Sequence, residues 1–306
     1  MRINLLAKIK TLFSQFRDIS IRLQKLQQAV GRIETRQIIS QNLREFNNNE
    51  FQVYSQWGED GLIQYLIHNI AIEKPIFVEF GVETYQESNT RFLLINNNWS
   101  GLVLDGSKSN IEYIKNDPIY WKHNLKAECA FINRDNINSL IKENGISGDI
   151  GLLSIDIDGN DYWVWEAIDV INPRIVVCEY NSLFGDDKTV SVPYDSSFFR
   201  TKAHYSNLYW GASITALTEL ANSKGYALVG SNIAGNNLFF VRRDVINEVL
   251  EVSIEEAYKV AQFRDSRDKS GKLNIISHTD KLLVIQDMKL LNLQDNKQYY
   301  IRDLYG

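Results

Sequence analysis

The 306-residue chain has a hydrophobic content of 44%, which is ordinary for a protein with a buried core. Its longest apolar runs are strand-sized, and no compact apolar block near the start precedes a small-residue cleavage site, so we predict neither a transmembrane helix nor a secretory signal. The two cysteines, Cys129 and Cys178, imply neither a disulfide framework nor a zinc site, and we expect a cytoplasmic protein.

The net charge of −5 is divided unevenly along the chain. Residues 1–50 carry nine Lys and Arg against four Asp and Glu, a net +5, which leaves −10 on the remainder. An acidic main body argues against general nucleic-acid binding, because phosphates have to be neutralised by a basic face. The first 50 residues are therefore expected to form a unit of their own.

This first unit carries the most regular apolar periodicity in the sequence. Its apolar residues alternate spacings of four and three, the a/d pattern of a coiled coil, at Leu5, Ile9, Leu12, Phe16, Ile19, Leu23, Leu26, Val30 and Ile33. A 3.5-residue period over about four heptads favours a partner helix, so we predict a homo-oligomer joined through residues 5–33. The mixed Leu, Ile and Phe core does not fix the number of chains.

Two other interpretations of this helix stay open. An amphipathic helix packed on its own domain would show a similar pattern. A helix lying on a membrane surface would also combine an apolar stripe with basic residues, here Arg2, Lys8, Lys10, Arg17, Arg22 and Lys25. The latter would make the protein peripheral at the inner membrane.

From about Tyr54 onward, short β-rich runs alternate with helical ones, which is typical of βαβ units and a parallel sheet. The predicted strands are residues 76–80, 101–104, 127–132, 151–155, 174–179, 226–231 and 237–242. The predicted helices are residues 59–70, 89–96, 110–116, 134–143, 161–168 and 213–224. Seven strands suit one doubly wound, Rossmann-like α/β sheet whose last two strands pair as an antiparallel hairpin.

The segment after Asp244 departs from this alternation. We predict a helix running to about Phe263 and a β-prone tail to Gly306, which together form a small α/β appendage. The predicted organisation is an amphipathic coiled-coil helix at residues 1–50, a main α/β domain at 51–244 and the appendage at 245–306.

Acidic residues follow the first predicted strand, in the run FVEFGVE. Glu79 and Gly81 lie at its carboxyl end, where open α/β sheets bind ligands. A dinucleotide site would show GxGxxG, so a single glycine disfavours pyrophosphate. S-adenosylmethionine has no phosphate and carries an ammonium and a sulfonium, which Glu79 and Glu83 suit electrostatically. A solvated acidic loop is the simpler alternative.

The second predicted strand ends in LVLDG, which places Asp105 where an acid can accept both hydroxyls of a ribose. The separation from Gly81 fits one βαβ step. An Asp-Gly pair that only forms a turn is the alternative.

Two further predicted strands deliver oxygen-bearing side chains to the same edge, in the runs LLSIDIDGND and VVCEYN. Asp156 and Glu179, together with Asn181, could hold a hard divalent cation such as Mg²⁺ or Mn²⁺. Such an ion would orient a substrate hydroxyl and stabilise its alkoxide.

A competing interpretation of these residues needs no metal. Asp158, which is also an alternative third ligand, or His204 would then take the proton directly as general base. A lone histidine is more often structural, and the acids could serve only to cap turns.

As a set, the motifs from Ser55 to about Arg243 resemble the FkbM-type branch of class I S-adenosylmethionine-dependent methyltransferases, found among bacterial polysaccharide genes. The resemblance is carried by SQWGEDG (55–61), FVEFGVE (77–83), LVLDGS (102–107), FINRDNIN (131–138), LLSIDIDGNDYWVW (152–165) and GNNLFFVRRD (235–244). It implies that Glu79 and Gly81 contact the methionyl part of the cofactor. It also assigns the ribose to Asp105, with Gly106 and Ser107 beside it.

The resemblance extends to the adenine and metal sides of the site. Glu128 and Cys129 fall where the loop on the adenine side is expected. The IDIDGND run is similar to a segment of cation-dependent catechol and caffeoyl-ester O-methyltransferases, which makes Asp156, next to the cofactor, a metal ligand. Those enzymes have Asp-Asn at the next strand end, whereas this chain has Glu179-Tyr180-Asn181.

These features predict an S-adenosylmethionine-dependent O-methyltransferase acting on a sugar hydroxyl of a nucleotide sugar or surface polysaccharide. One alternative is a metal-dependent glycosyltransferase that uses Asp156-Ile157-Asp158 as a DxD motif. Another is a non-catalytic methyltransferase-like scaffold that assembles through its N-terminal helix. The sequence names neither the acceptor nor the methylated atom.

Overall fold

The computed structural model describes residues 2–41, 43–261 and 266–306, except for the side chains of residues 2–8 and 17. The helices are α1 (Arg2–Gln41), α2 (Glu59–Asn69), α3 (Arg91–Asn96), α4 (Lys108–Asn116), α5 (Pro118–Lys122), α6 (Ile137–Glu143), α7 (Asp161–Ala167), α8 (Arg200–Ala203), α9 (Ile214–Ser223), α10 (Ile254–Ala257), α11 (His278–Val284) and α12 (Ile301–Tyr305). The strands are β1 (Ile76–Phe80), β2 (Ser100–Asp105), β3 (Leu125–Cys129), β4 (Gly148–Ile155), β5 (Ile171–Glu179), β6 (Val190–Ser191), β7 (Tyr226–Ser231), β8 (Asn237–Arg242), β9 (Lys289–Asn292) and β10 (Lys297–Tyr300).

Seven strands form one sheet in the order β3-β2-β1-β4-β5-β8-β7. The first five are parallel, whereas β8 runs antiparallel to both β5 and β7. The predicted doubly wound α/β fold and its terminal hairpin are confirmed. The order of the strands reverses between β1 and β4, and the carboxyl ends of these two strands border a crevice of the kind in which open α/β sheets bind ligands.

Both faces of this sheet are covered, which is why its central strands read as continuous apolar runs. Phe77 and Leu152 pack into the core on one face, while their neighbours Val78 and Leu153 pack into the core on the other. The strands are thereby fixed in register, with Phe77 beside Leu152. The polar residues that follow them are held at one sheet edge.

The segment after β8 differs from the prediction. Between residues 245 and 261, α10 is the helix that the structure describes, and its start at Ser253 carries a capping box with Glu256. The residues before α10, where the apolar spacing predicts a helix, instead form turns, with Val245 N donating to Arg242 O and Val249 N to Ile246 O. Val252 then donates its backbone N–H to Leu228 of β7. Phe263, the expected helix end, lies outside the described residues.

The C-terminal residues form a second, three-stranded antiparallel sheet in the order β10-β9-β6. Its strand β6 belongs to the connection between β5 and α9, not to the tail. Leu290 and Ile301 of the tail share an apolar cluster with Phe184 and Leu208 of that connection. The C-terminal segment therefore buttresses the connection that includes α8.

The last turns of α1 pack against the α/β domain. Gly31 lies where a Cβ would be 2.5 Å from Val53, and Gln28 donates to the Tyr54 hydroxyl. Ile38 is buried. None of the helices described combines the length and the apolar character needed to cross a bilayer.

Candidate active site

A cavity of about 660 Å³ opens at the carboxyl edge of the sheet, above the switch between β1 and β4. Nine of the residues singled out from the sequence line it, namely Glu79, Gly81, Glu83, Asp105, Gly106, Ser107, Asp156, Asp158 and Glu179. Four others do not: Glu128, Cys129, Asn181 and His204. The cavity therefore joins the predicted cofactor and carboxylate residues, and it excludes the predicted adenine-side pair and the histidine.

Gly81 sets the floor of the cavity. Its φ is +70°, and a Cβ at this position would lie 1.6 Å from the backbone oxygen of Asp156. The loops that follow β1 and β4 are thus in backbone contact, which no residue with a side chain would permit. The Gly81 N–H also donates to Leu104 O of β2, so three strand ends meet here.

Glu79 organises the loop that follows β1. Its buried carboxylate accepts hydrogen bonds from Ser88 Oγ at 2.6 Å, from Asn89 N at 2.9 Å and from both N and Oγ1 of Thr90. Burial raises the pKa of Glu79, and these donors oppose the shift by stabilising the anion. The side chain accordingly holds residues 88–90 in place at the cavity wall.

Asp105 connects the loops after β1 and β2. Its Oδ2 accepts from Glu83 N at 2.8 Å, and its Oδ1 accepts from Ser107 N at 2.8 Å and Asn110 Nδ2 at 3.0 Å. A carboxylate offers about four lone-pair sites, so Oδ2 retains capacity for one more donor. Ser107 in turn caps α4 by accepting from Asn110 N.

The adenine-side assignment needs correction. The third strand ends at Cys129 and not at residue 132; Ala130 N still donates to Asp105 O of β2, and residues 130–132 are not part of the strand. Glu128 is exposed and paired with Lys115 at 3.8 Å, and Cys129 lies on the surface. The cavity wall at this point consists of the next three residues, Ala130, Phe131 and Ile132.

Three carboxylates converge at the ends of β4 and β5. Asp156, Asp161 and Glu179 each place a carboxylate oxygen within 4.8 Å of the others. Asp161 also accepts from the backbone N–H groups of Ile157 and Gly159, both at 2.8 Å, and so shapes the loop. The Oε2 atom of Glu179 is buried and has no hydrogen-bond partner among the described residues.

Burial dominates the electrostatics of this cluster. It raises the pKa of Asp156 and Glu179 well above the ordinary range, and the negative charges of neighbouring carboxylates raise both further. It raises the pKa of Asp161 to about 6. Three carboxylates this close repel one another, so the arrangement favours a proton or a cation among them.

The third ligand predicted for this cluster is wrong. The Asn181 side chain donates to the carbonyls of Leu208 and Trp210 and accepts from Leu183 N, so its amide is consumed by backbone groups away from the cavity. Asp161 is instead the third oxygen-bearing side chain of the cluster. The amide serves instead to fix the connection after β5.

The two predicted general bases differ in position, because Asp158 lines the cavity and His204 does not. Asp158 forms an ion pair with Arg200 at 2.6 Å. His204 lies outside the cavity, with Nδ1 2.7 Å from Ser206 Oγ and its ring packed against Tyr205. Burial lowers the pKa of His204.

Sequence reasoning missed two asparagines on the inner wall. Asn160 Oδ1 and Asn237 Oδ1 are buried acceptors without a donor among the described residues, and both residues line the cavity. The Asn237 amide nitrogen donates to Glu59, which also accepts from Asn232. With Glu179, three residues that line the cavity each carry a buried acceptor atom with no donor among the described residues.

No protein-family model matches the chain, and no curated protein does. Among solved structures, it is similar to an S-adenosylmethionine-dependent methyltransferase from Clostridium acetobutylicum ATCC 824, with 10% identity, 60% of this chain and 90% of that one covered, and a TM-score of 0.39. It is also similar to the N-terminal domain of EvdMO1 with SAH bound, with 12% identity, 68% of this chain and 96% of that one covered, and a TM-score of 0.39. A third similar structure is the O-methyltransferase from Bacillus cereus in complex with SAH, with 12% identity, 60% of this chain and 76% of that one covered, and a TM-score of 0.37.

Proposed function

We propose that this chain is an S-adenosylmethionine-dependent O-methyltransferase of the FkbM-type branch, and that its acceptor is a sugar hydroxyl. One observation carries the proposal: a single cavity brings together the Gly81 loop, Asp105 and the carboxylate pair of half-buried Asp156 and buried Glu179. The first two suit a nucleoside without phosphates, and the pair suits an oxygen nucleophile that has to lose its proton. The sugar part of the proposal rests on the sequence resemblance.

The cofactor fits the residues on the β1 to β3 side of the cavity. Gly81 allows the loops after β1 and β4 to meet in backbone contact, and this contact forms the cavity floor beneath the proposed cofactor position. Asp105 Oδ2 has acceptor capacity for a ribose hydroxyl, and Phe131 and Ile132 supply an apolar wall for a flat base. The acids Glu79 and Glu83 complement the positive charge of the sulfonium and ammonium groups.

A divalent cation fits the β4 and β5 side of the cavity. We propose Asp156, Asp161 and Glu179 as its protein ligands, since hard cations prefer carboxylate oxygens and Glu179 Oε2 is a buried acceptor without a donor. Bound there, the cation would stabilise negative charge on an acceptor oxygen. Asp161 would contribute least, because its carboxylate already accepts two backbone hydrogen bonds.

In the proposed reaction, the acceptor oxygen attacks the methyl carbon of the cofactor while the carbon–sulfur bond breaks, which leaves S-adenosylhomocysteine. Without a cation, an ionised carboxylate of the Asp156–Glu179 pair takes the hydroxyl proton, because burial and the neighbouring charge raise its pKa above that of an exposed carboxylate. With a cation bound, these carboxylates would be its ligands, and the hydroxyl proton would leave to water. Asn160 and Asn237 accept hydrogen bonds from other hydroxyls of the acceptor and orient it.

Cofactor binding tests the proposal. Isothermal titration is expected to show that S-adenosylhomocysteine binds the wild-type protein, and that binding falls at least tenfold in Asp105→Ala, which loses the ribose acceptor. The matched control is Asp169→Ala, an exposed aspartate outside the cavity. No binding of cofactor or product at millimolar concentration would sink the proposal. Thermal stabilisation by a nucleotide sugar with Mn²⁺ would favour the glycosyltransferase instead.

A second prediction separates this site from the histidine singled out in the sequence. Since His204 lies outside the cavity and bonds Ser206, His204→Ala is expected to bind S-adenosylhomocysteine within about twofold of wild type. The same titration measures it. A loss comparable to that of Asp105→Ala would contradict this placement and put His204 at the cofactor.

A further inference from the structure

Helix α1 exposes a continuous apolar stripe along its length. Its a positions are Ile9, Phe16, Leu23 and Val30, and its d positions are Leu12, Ile19, Leu26 and Ile33; all eight side chains are 40–61% exposed. The predicted ninth member, Leu5, has a side chain outside the described residues. An exposed stripe of this length is unusual for a helix that has no partner.

This stripe is not the face that contacts the α/β domain. The domain side of α1 carries Gln28, Gly31 and Ile38, which bond or pack against the domain or are buried. In the heptad these three occupy f and b positions, on the side of the helix opposite a and d. The interpretation that the stripe packs on its own domain is therefore wrong.

We propose that the stripe is the seam of a parallel two-stranded coiled coil with a second copy of this chain. Eight half-exposed side chains of roughly 100 Å² each give roughly 800 Å² per helix, which equals one partner's share of a standard stable interface. The seam repeats every seven residues over about four heptads, and a strict seven-residue repeat stays in contact only with another supercoiled helix.

The charges beside the seam select the parallel arrangement. In a parallel pair, each g residue lies near the e residue of the partner's next heptad, which places Arg22 beside Gln27 and Ala29 beside Glu34. No like charges face each other in these pairs. An antiparallel pair centred on the seam would bring the two Arg22 side chains together, at an electrostatic cost.

The parallel arrangement has a consequence for the proposed enzyme. Both chains enter their α/β domains from the same end of the coiled coil, so the two α/β domains lie at that end. This inference does not depend on the proposed chemistry, and its test uses no cofactor.

Light scattering of the full chain at micromolar concentration is expected to give twice the 35.3 kDa chain mass. Leu23→Glu, which places a charge at an a position, is expected to give the single-chain mass. The matched control is Ile21→Glu, at an exposed apolar residue in an f position of the same helix, which is expected to remain a dimer. A single-chain wild type, a mass of three or more chains, or equal effects of the two substitutions would overturn the proposal.

Cross-linking tests the orientation. In a Cys129→Ser background, which removes the exposed native thiol, Leu12→Cys is expected to oxidise to a covalent dimer, because equal d positions face each other only in a parallel pair. A dimer that does not cross-link would overturn the parallel arrangement. A monomer that co-sediments with vesicles of anionic phospholipid would assign the stripe to a membrane surface instead.

Discussion

Glu179→Gln is expected to remove stabilisation by divalent cations and, at the same time, to make the metal-free protein more stable at alkaline pH. The buried Oε2 atom of Glu179 has no donor, and two further carboxylates lie within 4.8 Å. A cation would therefore bind this atom directly, and glutamine would offer a neutral and weaker ligand. Without a cation, the same substitution relieves the repulsion between carboxylates.

The sign of the pH dependence follows from the pKa of Glu179, which burial and the neighbouring carboxylates raise in the folded chain. A raised carboxyl pKa contributes stability that is fully present below the unfolded pKa and is lost as the pH rises through the folded value. In EDTA, wild type should lose stability with rising pH more steeply than Glu179→Gln. Each unit of difference between folded and unfolded pKa corresponds to about 1.4 kcal/mol.

Thermal unfolding in EDTA over a series of pH values measures the pH dependence, and thermal unfolding at pH 8 in EDTA and in Mn²⁺ measures the stabilisation by the cation. At a cation concentration a hundredfold above Kd, wild type should gain about 2.7 kcal/mol, or about 5 °C in Tm, and Glu179→Gln should gain almost nothing. Glu128→Gln, an exposed residue outside the cavity, is the control and should behave as wild type. If Mn²⁺ leaves wild type unchanged, the carboxylate pair works with a proton alone and the cation proposal fails.

The strands of the main sheet were predictable because parallel strands buried on both faces are apolar without interruption. The bounds of β1, β7 and β8 agree with the prediction residue for residue. Strand β3 lies at the sheet edge and is half exposed, so its own pattern is weak. The apolar pair Phe131-Ile132 therefore extended the prediction past the true strand end, into residues that line the cavity.

The positions of the residues at the strand ends could also be predicted from the sequence. Once parallel order is assumed, Glu79, Asp105 and Asp156 necessarily share one edge. The direction in which a loop side chain points is harder to predict, because it depends on hydrogen-bond partners that are far away in sequence. The Asn181 side chain points away from the cavity and donates to the carbonyls of Leu208 and Trp210, which no local sequence pattern predicts.

The remaining cavity residues come from parts of the chain that only tertiary structure brings near. Asn237 begins the antiparallel strand β8, and its amide is positioned by Glu59 from α2, 178 residues earlier. Phe198, Phe199 and Arg200 line the cavity from the connection that the C-terminal sheet buttresses. Packing between distant segments decides these positions, and a single sequence carries no signal for it.

Gly81→Ala is expected to have the largest effect on stability of any single substitution considered. Two costs add at this position: a φ of +70°, which disfavours side chains, and a Cβ placed 1.6 Å from Asp156 O. Backbone cannot rotate away as a side chain can, so the loops after β1 and β4 have to separate. We expect a loss of about 4 kcal/mol or more in the free energy of unfolding.

Gly148→Ala separates the two costs. Gly148 has the same φ of +70°, but an added Cβ there meets nothing within 4 Å, so this variant reports conformational strain alone, about 1–2 kcal/mol. Urea unfolding followed by tryptophan fluorescence measures both variants. Equal losses of stability in the two variants would mean that the loops after β1 and β4 separate at no cost and would contradict the prediction. We expect a much larger loss in Gly81→Ala than in Gly148→Ala, and we expect the Gly81→Ala protein that still folds not to bind S-adenosylhomocysteine. Both results together would show that the cofactor site depends on this backbone contact, because the contact forms the cavity floor below both proposed ligands.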